Sequence, residues 1–162
     1  KYLKDGIELW IINWKKNGVG RWINHKHGYG TMNAKAAVDL AKIWQNVSEE
    51  KKLESDLKSV DMEIPDGNQE GIENTITVAE NMIIENVEIV FNATHTYRSH
   101  IEVFLYSPSG TESVLAEKLG RKDKEDDYNS WTFGSVRYWG EKSLGDWKLK
   151  VRDVEEGEKV DL

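Results

Sequence analysis

The pattern of apolar and polar positions changes character twice along the chain. Residues 1–31 show no sustained period: Trp10, Trp14 and Trp22 stand among Asn17-Gly18, Gly20, Gly28 and Gly30, which are turn formers. From Asn33 the spacing becomes helical. Ala34, Ala37, Val38, Ala41 and Trp44 fall on one face and Asn33 has the short acceptor side chain of an N-cap, so a helix is expected from Ala34 to about Trp44. Residues 48–58 are dense in charge and lack an apolar stripe, which marks an exposed connection and puts a boundary between residues 50 and 51.

Beyond that connection the period becomes 2. Val60, Met62 and Ile64 alternate with Asp61 and Glu63, and Ile76 and Val78 alternate with Thr75 and Thr77. The same alternation returns in Val87, Ile89 and Phe91, in Ile101, Val103 and Leu105, and in Trp147, Leu149 and Val151. Ser107-Pro108-Ser109-Gly110 lies between two such runs and makes a turn, Pro fixing its φ and Gly accepting a positive one. Strands that recur with turns and no helices between them specify a mainly β fold, an antiparallel β-sandwich or jelly roll, over residues 51–162. Residues 1–50 form a preceding loop-and-helix segment.

Composition narrows the partners. The 162 residues suffice for one domain, or a smaller domain with an appendage, and 38% hydrophobic content with seven Trp is enough to build a core. The net charge of −7, with 22 basic residues scattered among 29 acidic ones, argues against a nucleic-acid partner, which needs clustered Lys and Arg. The absence of Cys removes disulfides, thiolate metal sites and cysteine nucleophiles together. No apolar run approaches the roughly 20 residues that span a bilayer. The chain begins at Lys1-Tyr2-Leu3 without an initiator Met, so a portion of a longer protein is expected. The sequons Asn46-Val47-Ser48 and Asn92-Ala93-Thr94 are glycan acceptors in an exported eukaryotic protein.

Candidates for chemistry are few. Ser109 beside Gly110 is the nearest approach to a nucleophile on a sharp turn, but its surroundings read as a hairpin. His25 and His27 could reach a metal from one face, with no third ligand evident. His95 and His100 flank Tyr97 at the start of a strand without an obvious carboxylate partner, and read as structural or surface histidines. The acidic run Asp123, Glu125, Asp126 and Asp127, interrupted by Lys124, and the cluster Asp153, Glu155, Glu156 and Glu158 lack the spacing of a calcium loop. Trp131, Tyr138, Trp139 and Trp147 could form a sugar-binding platform, although Trp131 and Trp147 are expected in the core. No catalytic residue, cofactor ligand or metal ligand is assigned.

With these residues laid out, the chain resembles the kexin/furin family of subtilisin-like proprotein convertases. The matching elements are Asn17-Gly18-Val19-Gly20, His25 to Gly30, and Asn33-Ala34 with the helix to Trp44, similar to the closing segment of the catalytic domain. Then come Tyr97 to Pro108, Ser107-Pro108-Ser109-Gly110-Thr111, Trp131-Thr132-Phe133, Trp139-Gly140-Glu141 and Gly145-Asp146-Trp147, in the order of the P domain, also called homo B. The resemblance implies a jelly-roll P domain over 51–162, after a 1–50 segment from a subtilisin-like α/β domain. It implies a parent serine endoprotease, calcium-dependent, that cuts precursors after paired basic residues in the Golgi if eukaryotic, or outside the cell if bacterial. The P domain's partner would be the catalytic domain of the same polypeptide, which it stabilises; membrane anchoring of the parent is compatible with this. The family continues past Asp161-Leu162 into one more Trp-containing strand, so a missing last strand is expected. The rival reading is an independent β-sandwich binding module for a carbohydrate or a protein.

Overall fold

The computed structural model describes residues 14–119 and 127–156. Among them, residues 14–15 and 22–58 make one compact unit and residues 16–21, 59–119 and 127–156 another. Two short strands, β1 (Lys15–Lys16) and β2 (Trp22–Ile23), come first among the described residues.

In the first unit the Asn24 N–H bonds the Gly28 carbonyl at 2.8 Å, and the Asn24 side chain accepts from the Lys26 and His27 N–H groups, which closes a tight loop. The helix spans Ala34–Ala41, and the Asn33 Oδ1 accepts from the Ala36 N–H at 3.0 Å, as its N-cap character predicts. It stops three residues short of Trp44. The Ile43 N–H bonds the Leu40 carbonyl, a one-residue tightening that closes the last turn, and Trp44 lies outside the helix.

The second unit is the β-sandwich. Its larger sheet has the order β3-β8-β5-β6, formed by β3 (Ile72–Val78), β8 (Gly145–Asp153), β5 (Ile101–Tyr106) and β6 (Glu112–Ala116). The smaller sheet pairs β4 (Val87–Ala93) with β7 (Tyr128–Ser135). Every pairing is antiparallel, so the mainly β expectation holds. In β5 the residues Ile101, Val103 and Leu105 are buried and their neighbours half-buried, as a period of 2 requires. They face Asp153, Val151 and Leu149 across the ladder.

Side chains from both sheets meet in the core. Phe91 and Tyr128 of the smaller sheet pack with Ile101, Val103 and Val151 of the larger one, and Ile84, Leu105, Tyr138 and Trp147 form a second cluster. Tyr138 is 0% exposed. Its hydroxyl donates to the Leu105 carbonyl at 2.7 Å and its ring meets Trp147 edge-on at 4.9 Å. Burial pushes this phenol well above its ordinary range.

Two expectations are corrected. Residues 60–64 form no strand: Asp61 takes a φ of +41°, which interrupts the extended run, and of the three apolar positions only Ile64 packs against the core. Trp147 is buried as expected, but Trp131 is 45% exposed. Between the pairs Phe91↔Trp131 and Ala93↔Tyr128, two residues of β4 span three of β7, and Ser130 has a φ of +47°. This bulge turns the strand so that Tyr128 takes the core position.

One glycine carries a prediction. Gly71 has a φ of +64°, and a Cβ there would run into the Val151 carbonyl and Arg152 of the adjoining strand. Gly71→Ala is expected to cost about 2 kcal/mol, read as a lower urea midpoint with an unchanged slope.

Candidate functional site

The Glu141 carboxylate, 2% exposed, accepts four hydrogen bonds. The turn Tyr138–Glu141 presents it: the Glu141 N–H bonds the Tyr138 carbonyl, and Gly140 supplies a φ of +88°. Main-chain bonds from Gly140 to the Ile84 carbonyl and from Ile84 to the Glu141 carbonyl, 2.8 and 2.9 Å, fix that turn. Opposite stands the hairpin turn between β5 and β6, where the Gly110 N–H bonds the Ser107 carbonyl and Gly110 has a φ of +82°.

Three hydroxyls of the hairpin turn converge on the carboxylate. Ser107 donates to one oxygen at 2.7 Å and Ser109 to the same oxygen at 2.5 Å, while Thr111 donates to the other at 2.5 Å. The backbone N–H of Gly18 is the fourth donor, at 2.7 Å. The turn that carries Gly18 is anchored by Asn17, 4% exposed, whose side-chain amide donates to the carbonyls of Arg137 and Trp139. Arg21 lies over the exposed Trp139 ring, 5.2 Å from its centre.

Burial pushes the Glu141 carboxyl up, but the bonds from Ser109, Thr111, Ser107 and Gly18 outweigh it and hold the group below the ordinary glutamate value of 4.5. A carboxylate depressed in the folded state stabilises it above the unfolded pKa, and this is lost as pH falls through the folded pKa. The stability difference between the wild type and Glu141→Gln is therefore expected to be full at neutral pH and to shrink below about pH 4.5. Urea midpoints across that range check it.

The other sequence candidates fall elsewhere. The Ser109 hydroxyl gives its one proton to Glu141. His27 stacks on Trp14 at 6.5 Å. His95 and His100 do have carboxylate partners, against expectation. The His95 Nε2–H donates to Asp153 Oδ2 at 2.9 Å, and His100 Nε2 lies 3.3 Å from Glu155, which also pairs with Lys118. Those partners lie more than 50 residues away in sequence, and only the antiparallel pairing of β5 with β8 brings them together. Among the described residues no three His, Cys, Asp or Glu side chains converge as metal ligands. Asp123, Glu125, Asp126 and Glu158 lie outside the described residues, and Asp127 accepts from the His95 N–H. Trp131 is flanked by Tyr128 and Phe133 and covered by the Arg98 guanidinium at 5.1 Å. Asn46 is exposed outside any element, and Asn92 is exposed on β4 with its Oδ1 accepting from the Ser130 N–H at 2.7 Å.

Residues 84–162, which hold most of the sandwich and the Glu141 site, match the family described as the proprotein convertase P-domain. That segment is a proprotein convertase P-domain. Around it, the chain is 32% identical over 157 residues to a dibasic-processing endoprotease of Yarrowia lipolytica, a match covering 92% of the chain and 16% of that protein. It is 32% identical over 142 residues to furin-like protease 1, isoform 1-CRR, of Drosophila melanogaster, covering 87% of the chain and 13% of the relative. To the kexin of Saccharomyces cerevisiae it is 29% identical over 157 residues, covering 93% and 19%. The chain thus spans less than a fifth of these curated relatives. Among solved structures, the serine protease of Aeromonas sobria superposes with a TM-score of 0.74 at 24% identity, covering 89% of this chain and 27% of that one. A second structure holds the same protease with a chaperone, at the same TM-score and 22% identity. The fold is therefore shared with that protease, and the kexin/furin resemblance read from the Ser107–Thr111 and Trp139–Glu141 motifs is borne out.

Proposed function

We propose that this chain is the non-catalytic P-domain region of a kexin-like serine endopeptidase, and that it folds with and stabilises the catalytic domain of the same polypeptide. In this reading residues 1–50 close the catalytic domain and 51–162 form the P-domain. The observation that carries it is the place of the turn Asn17–Arg21. By resemblance this turn belongs to the closing segment of the catalytic domain, yet it lies in the same compact unit as the sandwich and is bonded to Arg137, Trp139 and Glu141. A protease with a turn of its closing segment seated in the P-domain depends on it for folding, because whatever binds only the folded form shifts the equilibrium toward it.

The parent's substrates are precursor proteins cut after paired basic residues, its compartment is the secretory pathway, and calcium serves its catalytic portion. Asn46 and Asn92 are the glycan acceptors of this region. Deletion of residues 84–162 from the parent is expected to abolish cleavage of a fluorogenic peptide ending in Lys-Arg; undiminished cleavage would sink the proposal.

The exposed Trp131 ring under Arg98 supports a second reading, a binding module for a carbohydrate or a protein partner. Under that reading glycans shift the Trp131 fluorescence, and Trp131→Ala removes the shift. Under the first reading glycans leave it unchanged.

A further inference from the structure

The geometry points to a two-way polar clasp between the turn Asn17–Arg21 and the P-domain, with Asn17 and Glu141 as reciprocal anchors and the parent's own catalytic domain as the partner it holds. This rests on the reading above and specifies the contact that performs it. From the turn, the Asn17 Nδ2 donates to the Trp139 and Arg137 carbonyls at 3.0 and 3.3 Å, and its Oδ1 accepts from the Arg21 and Val19 N–H groups at 3.0 and 3.2 Å. Two donors and two lone pairs are all an amide offers, and here all four are used. From the P-domain, each Glu141 oxygen receives two donors, Gly18 and Thr111 on one, Ser107 and Ser109 on the other.

Every partner of the carboxylate is a donor, and an amide at position 141 would set its own N–H groups against some of them. Asp at position 17 would set a charged oxygen against two carbonyls. Both anchors are almost fully buried, so the mismatched group would lack water to replace the lost bond. The residue between them has no room to vary. A Cβ on Gly18 would fall on the Cβ and Oγ of Ser109, and the next nearest atom is the Glu141 Cδ at 3.2 Å. The clasp thus joins residues 93 to 123 positions apart through hydrogen bonds, with Gly18 fitted closely against Ser109. Arg21 stacked on Trp139 covers its outer side.

The close fit supplies a test on the full-length protease. Asn17→Asp, Glu141→Gln and Gly18→Ala are each expected to lower the yield of active protease about tenfold, because a contact of this kind governs how much folded enzyme survives. Ser109→Gly removes the atoms a new methyl would strike, and with them one of the four donors to Glu141, so Gly18→Ala with Ser109→Gly is expected to recover part of the lost yield, above Gly18→Ala and below the wild type. Hydrogen exchange of the Val103 and Val151 amides, in β5 and β8, is expected to be unchanged in Gly18→Ala. The clasp is refuted if these variants keep full yield while deletion of residues 84–162 removes activity, which leaves the stabilising reading intact. It is also refuted if Ser109→Gly fails to rescue Gly18→Ala, or if Gly18→Ala deprotects Val103 and Val151 along with the loss of activity. Full activity after the deletion refutes the underlying reading as well.

Discussion

Tyr138→Ala is expected to lower the stability of the sandwich by about 4 kcal/mol, most of what a marginally stable domain has. The ring is wholly enclosed with Leu105, Ile84 and Trp147, and its removal leaves a cavity that these neighbours fill only in part. It also removes the bond that the tyrosine hydroxyl donates to the Leu105 carbonyl, at a position in the centre of the larger sheet. Tyr138→Phe separates the two contributions. It keeps the ring and the edge-on contact with Trp147, and is expected to cost about 1 kcal/mol, the scale of one buried hydrogen bond. Urea denaturation of the two variants beside the wild type measures both, with the slope showing that the same surface is exposed in each.

Asp153→Ala is expected to be the next most damaging change, at about 3 kcal/mol. Asp153 is 0% exposed and serves two partners, the His95 Nε2–H at 2.9 Å and the Glu155 N–H at 3.1 Å. The His95 Nδ1 lies 2.9 Å from the Tyr97 carbonyl and 3.1 Å from the Tyr97 N–H, so it finds a partner whether or not it carries a proton. Removing the carboxylate thus releases the ring and, with it, the segment that leads into β5. His95→Ala leaves Asp153 buried without its imidazole, and is expected to destabilise by a similar amount. The double variant is expected to cost less than the sum of the two, since the second change removes a group the first has already stranded; a thermodynamic cycle from four denaturation curves reads that coupling. Strict additivity would show that the pair contributes nothing as a pair.

The parts of this fold that were legible in the sequence are those fixed by local pattern. Ile101, Val103 and Leu105 announce a strand because alternate side chains of an extended chain share a face, and the ladder to β8 buries that face. Asn33 announces a helix start for an equally local reason. Where pattern failed, longer-range geometry had intervened. Val60, Met62 and Ile64 have the right alternation but no ladder, and Asp61 breaks the run. Trp131 has the right neighbour in Phe133, but a bulge in β7 moves it out of the core.

The candidate site was legible only as a motif. The Trp139-Gly140-Glu141 and Ser107-Pro108-Ser109-Gly110-Thr111 segments carried the family resemblance, yet neither spacing nor composition told that one would hold the other. A signal was present: three hydroxyls at every second position of one turn, and a lone carboxylate immediately after a strongly aromatic stretch. Such a set satisfies itself when buried, because each hydroxyl can donate to a carboxylate that has no proton of its own to place. Asp153 and His95 gave less warning, since nothing in either local sequence marks a partner 58 residues distant.

The claim that this P-domain region supports the protease's catalytic domain is tested most directly by reconstitution. The catalytic portion of the parent, expressed separately, is mixed with the 162-residue chain and assayed on a fluorogenic peptide ending in Lys-Arg. Cleavage in the mixture and none in either part alone is the predicted result. Cleavage by the catalytic portion alone, at a rate the chain does not change, would contradict it.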